Sequence, residues 1–284
     1  LIAGRHMGFW RAHMPSGMYL RSAADWHLDT AGEATIERFF REANVPTAEA
    51  DPIPVARYLE YVDWFTAEKA ISPLEWHVDR VDLDPVGEPF LAIAREGVIR
   101  ARTVALAVGF QYFANVPADL VAILPAGSFV HTCDYVDFGD AAGHHYLVVG
   151  GRQSAFEWAA LLLEAGAASV TLTHRHSSPV FAVSDWSWTN PIVAAMVENP
   201  GWYQDLPDSE REAVRLRMWG EGRLKVEPWL EPRLNDGRFA VHPNTRVVEA
   251  SQDVDGTRVR LDGGIELTVD RVVLATGYKP DLAR

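Results

Sequence analysis

YLVVGGRQSAFEWAALLLEAGAASVTLTHRH, residues 146–176, reads as an apolar strand, a glycine turn, a helix and a second strand. YLVV delivers the chain to Gly150-Gly151, and the helix is expected to begin near Gln153. Its unpaired N–H groups and the positive end of its dipole then face the turn, which suits the pyrophosphate of a dinucleotide. The fingerprint for that ligand is G-x-G-x-x-G/A. Gly150 fills its first place and Ala155 its last, while Arg152 stands where the middle glycine is expected. An arginine cannot reproduce the closest backbone approach, but its guanidinium can meet a phosphate bidentately. Gly151, Gln153 and Ser154 complete the candidate set. The alternative is a structural Gly-Gly turn in an ordinary βαβ unit.

The end of the second strand bears on which dinucleotide is held. An NAD site usually places Asp or Glu there, roughly 20 residues past the glycines, to hold the ribose hydroxyls. Here VTLT ends in His174-Arg175-His176 with no carboxylate, and an arginine able to pair with a phosphate points to the 2′-phosphate of NADPH. A solvated basic turn is the competing reading.

Outward from this unit, IPVARYLEYVDWFTAEK (53–69) carries Val55, Leu59, Val62 and Phe65 at helical spacing after a proline-rich start. WHVDRVDLD (76–84), PFLAIAR (89–95) and TVALAVGF (103–110) predict a meander that ends in a buried strand. Residues 177–232 differ in character: five of the ten tryptophans fall there, among prolines and short helical patterns, as in an insertion. Those rings either line a pocket or pack the insertion's own small core. Residues 238–278 return to strands, with Asp255-Gly256 and Gly263-Gly264 at hairpin turns.

The totals exclude several classes. A net charge of −13 over 284 residues without a basic stripe disfavours nucleic acid and anionic membranes. No apolar run reaches the roughly 18 residues of a spanning helix. Cys133 is the only cysteine, so the sequence contains no intrachain disulfide, no thiol redox pair and no zinc ribbon, which fits a reducing cytoplasm. His144-His145, adjacent and expected in a turn just before the strand, do not read as metal ligands. The chain opens on Leu1 in what reads as a strand and stops soon after another, so both ends of a longer protein are expected to lie outside it.

GGRQSAFEWAALL, ALAVGF, VLATGYKPD and the early FWRAHMPSGMYLRS together resemble the flavin-containing monooxygenase and amino-acid N-hydroxylase superfamily of FAD- and NADPH-binding proteins, nearest to the bacterial urate hydroxylase-like flavoproteins. The resemblance implies an α/β fold with two Rossmann-like dinucleotide-binding domains, the N-terminal FAD unit being incomplete. It implies a partial FAD domain over 1–125, an NAD(P)H domain over 126–274 with the insertion inside it, and a return to the FAD domain over 275–284. LIAG becomes the second strand of the FAD unit, whose glycine fingerprint is expected before Leu1. Trp10, Met14 and Arg21 are implied beside the flavin, Val81 at the adenine, and Gly109, Thr276 and Gly277 at chain crossings near the cofactors, each with packing as its alternative. The implied activity is NADPH-dependent oxygenation of a small molecule through a flavin hydroperoxide. A flavoprotein reductase that inserts no oxygen, and a flavin-free NADPH-binding module, are the rivals. Substrate and oligomeric state are not legible.

Overall fold

A computed structural model describes residues 1–84, 86–87 and 89–280. The chain divides into two units, Leu1–Ala114 with the segment from Tyr278, and Asn115–Gly277. The division falls at 114/115 and 277/278, where the resemblance implies 125/126 and 274/275.

The first unit holds helices α1 (Gly8–Ala12), α2 (Ile36–Glu42) and α3 (Val55–Glu68), then an antiparallel meander of β1 (Val78–Leu83), β2 (Phe90–Ala94) and β3 (Gly97–Ala101). Helix α3 follows Pro54 at its N-cap and turns Val55, Tyr58, Tyr61 and Val62 inward. The Tyr61 hydroxyl donates to the Ala34 carbonyl and accepts from the Leu28 N–H, both at 2.9 Å, so this buried phenol is satisfied. Two expectations are corrected here. The third strand of the meander is residues 97–101, and residues 103–110 form no strand: Leu106 is 70% and Val108 52% exposed. LIAG forms only a single bridge, Ala3 to Leu74, with Leu1 88% exposed. The physical reason is the same for both. A strand exists by pairing, and among the described residues neither apolar run has a ladder to join.

The second unit runs in chain order through α4 (Ala118–Ile123), β4 (Phe129–His131), β5 (His145–Val149), α5 (Gln153–Glu164), β6 (Ser169–His174), β7 (Val180–Phe181), α6 (Asn190–Glu198), α7 (Trp202–Asp205), α8 (Asp208–Arg223), β8 (Lys225–Val226), α9 (Leu230–Leu234), β9 (Phe239–Pro243), β10 (Val247–Asp253), β11 (Gly256–Leu261), β12 (Glu266–Val269) and β13 (Arg271–Leu274). Strands β4-β13-β5-β6-β9 form one five-stranded sheet in which every pairing is parallel. A parallel sheet needs cover on both faces. On one face Leu120 of α4, Leu124 just past its end, and Val259 and Leu261 of β11 pack against Leu147, Val272 and Leu274 of the sheet. Helix α5 covers the other face and is buried from Ala155 to Leu163.

Within α5 lies an ionisable side chain with no solvent access, Glu157. Arg233 of α9 donates to it at 3.1 Å and also grips Glu164 at 2.7 Å, so one guanidinium ties α9 to two turns of α5. Burial pushes the Glu157 carboxyl up to about 7 against the pull of Arg233. Among the described residues, no helix is long and apolar enough to cross a membrane.

Arg233→Ala should destabilise the protein by about 3 kcal/mol in urea denaturation, because it strands a buried carboxylate. A carboxyl raised in the fold binds more protons in the native than in the unfolded chain. The Glu157 contribution is therefore most favourable below its unfolded value near 4.5 and is lost as pH rises to about 7. Glu157→Gln should flatten that decline in a series of thermal melts from pH 4.5 to 7.5.

Candidate functional site

The end of β5 is where two backbones come together. Gly150 has φ +153°, and a Cβ built on it would lie 2.4 Å from the Ala275 carbonyl oxygen, just past the end of β13. A Cβ on Gly151 would lie 2.4 Å from Cγ of His174, at the end of β6. No side chain fits at either position, so the turn passes tight against its neighbours and α5 starts at the sheet edge. The Gly150 N–H is spent on the Thr173 carbonyl at 2.9 Å. Arg152 is the N-cap of α5 in extended conformation, and no side chain caps the helix, which leaves its first N–H groups available to a ligand.

The structure sorts the candidates of residues 150–155. Ser154 is exposed on the first turn and Ala155 is fully buried beneath it. Gln153 faces inward: its Nε2 donates to Glu157 at 3.0 Å and its Oε1 accepts from the Glu227 N–H at 3.0 Å. Its amide is a strut between α5 and the segment after β8. The half-buried Arg152 guanidinium lies 5.6 Å from the centroid of the Trp219 ring. Burial first, then the charges of Arg223 and Arg175, hold it below its ordinary pKa.

His174 and Arg175 part company at the end of β6. His174 is 3% exposed, and its ring lies against Gly151. Its Nδ1 donates to the His176 carbonyl at 2.8 Å, which leaves Nε2 as a buried acceptor with no partner. Burial, with the neighbouring His176, lowers its pKa, so His174 brings an acceptor and no charge. Arg175 is exposed, and no carboxylate pairs with it among the described residues.

Thr276 and Gly277 are engaged by Asn115: its Nδ2 donates to the Thr276 carbonyl at 3.1 Å, and its backbone N–H donates to the Gly277 carbonyl at 2.9 Å. His131 Nε2 donates to the same Gly277 carbonyl at 3.1 Å while its Nδ1 accepts from the Cys133 N–H, which fixes the tautomer. Gly277 itself sits at φ +76°. In the first unit, Trp10 stacks at a tilt 5.2 Å from Tyr58, Met14 is half-buried, and Arg21 is exposed. Val81 lies in β1 opposite Ala92, and Gly109, at φ +68°, has Phe9 beside it. Sequence reading missed Asn115 and singled out Trp219 only as one of five insertion tryptophans. A lone Asn gives no pattern, and Trp219 meets an arginine far away in sequence, Arg152, which no local spacing signals.

A parallel sheet whose middle strand enters a turn with no room for side chains, at the start of an uncapped helix, is a dinucleotide-binding domain of Rossmann type. The chain belongs to the pyridine nucleotide-disulphide oxidoreductase family, whose pattern matches residues 31–203. It is similar to the FAD-dependent urate hydroxylase of Xanthomonas campestris pv. campestris, with 25% identity over 239 residues. That match covers 81% of this chain and 48% of the relative, so the chain spans about half the length of the curated relative it matches. Among solved structures, ornithine hydroxylase from Pseudomonas aeruginosa superposes with a TM-score of 0.74 at 18% identity, covering 96% of this chain and 73% of the other. The ornithine N-hydroxylase of Kutzneria sp. 744 gives 0.72 at 20% identity, covering 95% and 71%. These two likenesses establish a shared fold.

Gly151→Ala should cost about 1–3 kcal/mol in thermal denaturation, because the methyl group collides with the His174 ring. In a His174→Ala background the same substitution should cost much less, and a double-mutant cycle reads the coupling directly.

Proposed function

We propose that the protein is an NADPH-dependent flavoprotein monooxygenase acting on a small molecule, with NADPH held at residues 150–155 and selected by Arg175. The observation that carries the reading is the turn at Gly150-Gly151, closed to side chains on both flanks and opening onto the uncapped start of α5. The relatives support it: the Xanthomonas protein is FAD-dependent by name, and the Kutzneria hydroxylase structure carries reduced FAD, NADP+ and L-ornithine.

The residues present fit the nicotinamide nucleotide. Gly150 and Gly151 let the turn pass tight against Ala275 and His174 into the uncapped start of α5, whose N–H groups suit a pyrophosphate; the exposed Ser154 hydroxyl lies on the same helical turn, and Arg152 adds a charge-assisted donor. The unpartnered Nε2 of His174 is an acceptor for a hydroxyl of the ligand. Arg175, free of carboxylates, suits a phosphomonoester. Bound NADPH supplies a hydride; the chain orients it and neutralises its phosphates. For FAD, among the described residues of the first unit no named strand leads into a helix, since β1, β2 and β3 all follow α3, so the FAD half of the reading rests on the relatives. Disulphide chemistry is disfavoured in this sequence, because its sole cysteine, Cys133, is buried. That single thiol is also what supports a reducing, cytoplasmic setting.

Arg175→Ala should weaken NADPH binding by about tenfold or more and NADH binding by less than about twofold in fluorescence titrations, as loss of a charge-assisted phosphate contact requires. Equal loss for both nucleotides overturns the NADPH assignment. With FAD added, oxygenated product in an NADPH oxidation assay supports the monooxygenase reading; NADPH consumption with full electron transfer to another acceptor and no oxygenated product refutes it.

A further inference from the structure

The inserted segment brings a second basic wall to the glycine turn. Helix α8 buries none of its residues, so its place is fixed by rings and a few polar contacts. A Cβ on Gly222 would be 3.3 Å from the Trp186 ring, and the Arg217 guanidinium lies 4.5 Å from the centroid of Trp188. Ser184 Oγ donates to the Glu221 carbonyl at 2.8 Å. Three tryptophans of the insertion therefore touch α8 or extend from it, and the third, Trp219, reaches outward to Arg152 at 5.6 Å. Arg223 is the last residue of α8, four positions beyond Trp219 and so on the same helical face.

Arg152 is the N-cap of α5 beside Trp219, Arg223 stands one helical turn beyond Trp219, and Arg175 follows His174, whose ring lies against Gly151, so all three arginines stand on elements that meet the start of α5; burial first, then the charges of Arg223 and Arg175, lowers the Arg152 pKa. Among the described residues none of the three has a carboxylate partner, although the chain is acidic overall and Arg38, Arg57, Arg233 and Arg238 each find one. Like charges gathered without a counterion are unfavourable in the free protein and favourable once an anion sits among them. The buried, unpartnered Nε2 of His174 beside Gly151 is an independent sign that this surface completes itself with a ligand.

We propose that Arg223 of the inserted helix binds the 2′-phosphate of a 2′-phosphorylated adenosine together with Arg175, and that Trp219 is a positioning residue that holds Arg152 over the glycine turn. The inference rests on the dinucleotide reading of that turn and adds that specificity is shared between the sheet and the insertion.

The test titrates 2′,5′-ADP and 5′-AMP into the full chain by calorimetry. Arg223→Ala should weaken 2′,5′-ADP by about tenfold or more and leave 5′-AMP within about twofold, since only the former carries the group Arg223 meets. Trp219→Leu should weaken both ligands, Trp219→Phe should restore them, and the melting temperature should stay unchanged because the ring is 38% exposed. If Arg223→Ala leaves 2′,5′-ADP unaffected while Arg175→Ala weakens it, the phosphate belongs to β6 alone: the inference fails and the dinucleotide reading stands. If Trp219→Phe fails to restore what Trp219→Leu loses, the positioning role is overturned. If the unmodified chain binds neither nucleotide, the dinucleotide reading falls and the inference with it.

Discussion

The structure of the second unit turns on the close approach of two chain segments at the end of β5. The Ala275 carbonyl comes so near Gly150, and the His174 ring so near Gly151, that neither position has space for a methyl group. This contact holds the end of β13 against β5 and the end of β6 against the turn. It also brings the first turn of α5 down onto the sheet edge, where its unpaired N–H groups are concentrated. The shape that would admit a phosphate is the same shape that packs the sheet. Glycine here serves the fold first, and the nucleotide reading inherits the space.

Helix α5 can leave its N-terminus uncapped because the rest of it is so firmly held. Its inward face is buried from Ala155 to Leu163, and Arg233 clasps Glu157 and Glu164 from α9. Gln153 joins that framework by bridging Glu157 and the Glu227 N–H. A capping side chain would contribute about 1 kcal/mol, small beside this burial, and it would take up the N–H groups that now face outward. The missing cap and the buried ion pair are two sides of one arrangement: anchorage is inward, so the outward end stays open.

Much of this was legible in the sequence, and the parts that were not share a cause. The strand, glycine turn, helix and strand of residues 146–176 carry strong local signals, and the structure places α5 at Gln153 as that pattern requires. Helix α3 was equally clear from its spacing, though Tyr58 and Tyr61 lie deeper on its inward face than Leu59 and Phe65, and the Tyr61 hydroxyl reaches the Ala34 carbonyl, which a leucine cannot satisfy. TVALAVGF misled because an apolar run of eight residues states only that a segment can be buried, whereas a strand is made by its neighbours. The meander found its third strand one turn earlier, in GVIRA, where Ala94 pairs with Gly97 across two residues. The five-strand order was out of reach for the same reason: β13 inserts between β4 and β5 from more than a hundred residues away.

The insertion shows how chemistry can be assembled without a local motif. Residues 177–232 read as a tryptophan-rich interruption whose rings either line a pocket or pack a small core. In the structure Trp186 and Trp188 brace a helix that has no buried side chain of its own, and Trp219 extends from that helix toward the glycine turn. Held this way, α8 is joined to the sheet by surface contacts, which are weaker and more easily rearranged than the core around α5. The two sides of the glycine turn therefore differ in kind. The sheet wall is fixed by close backbone contact, while the inserted wall is held by ring and charge contacts that an anion among Arg152, Arg175 and Arg223 would reinforce.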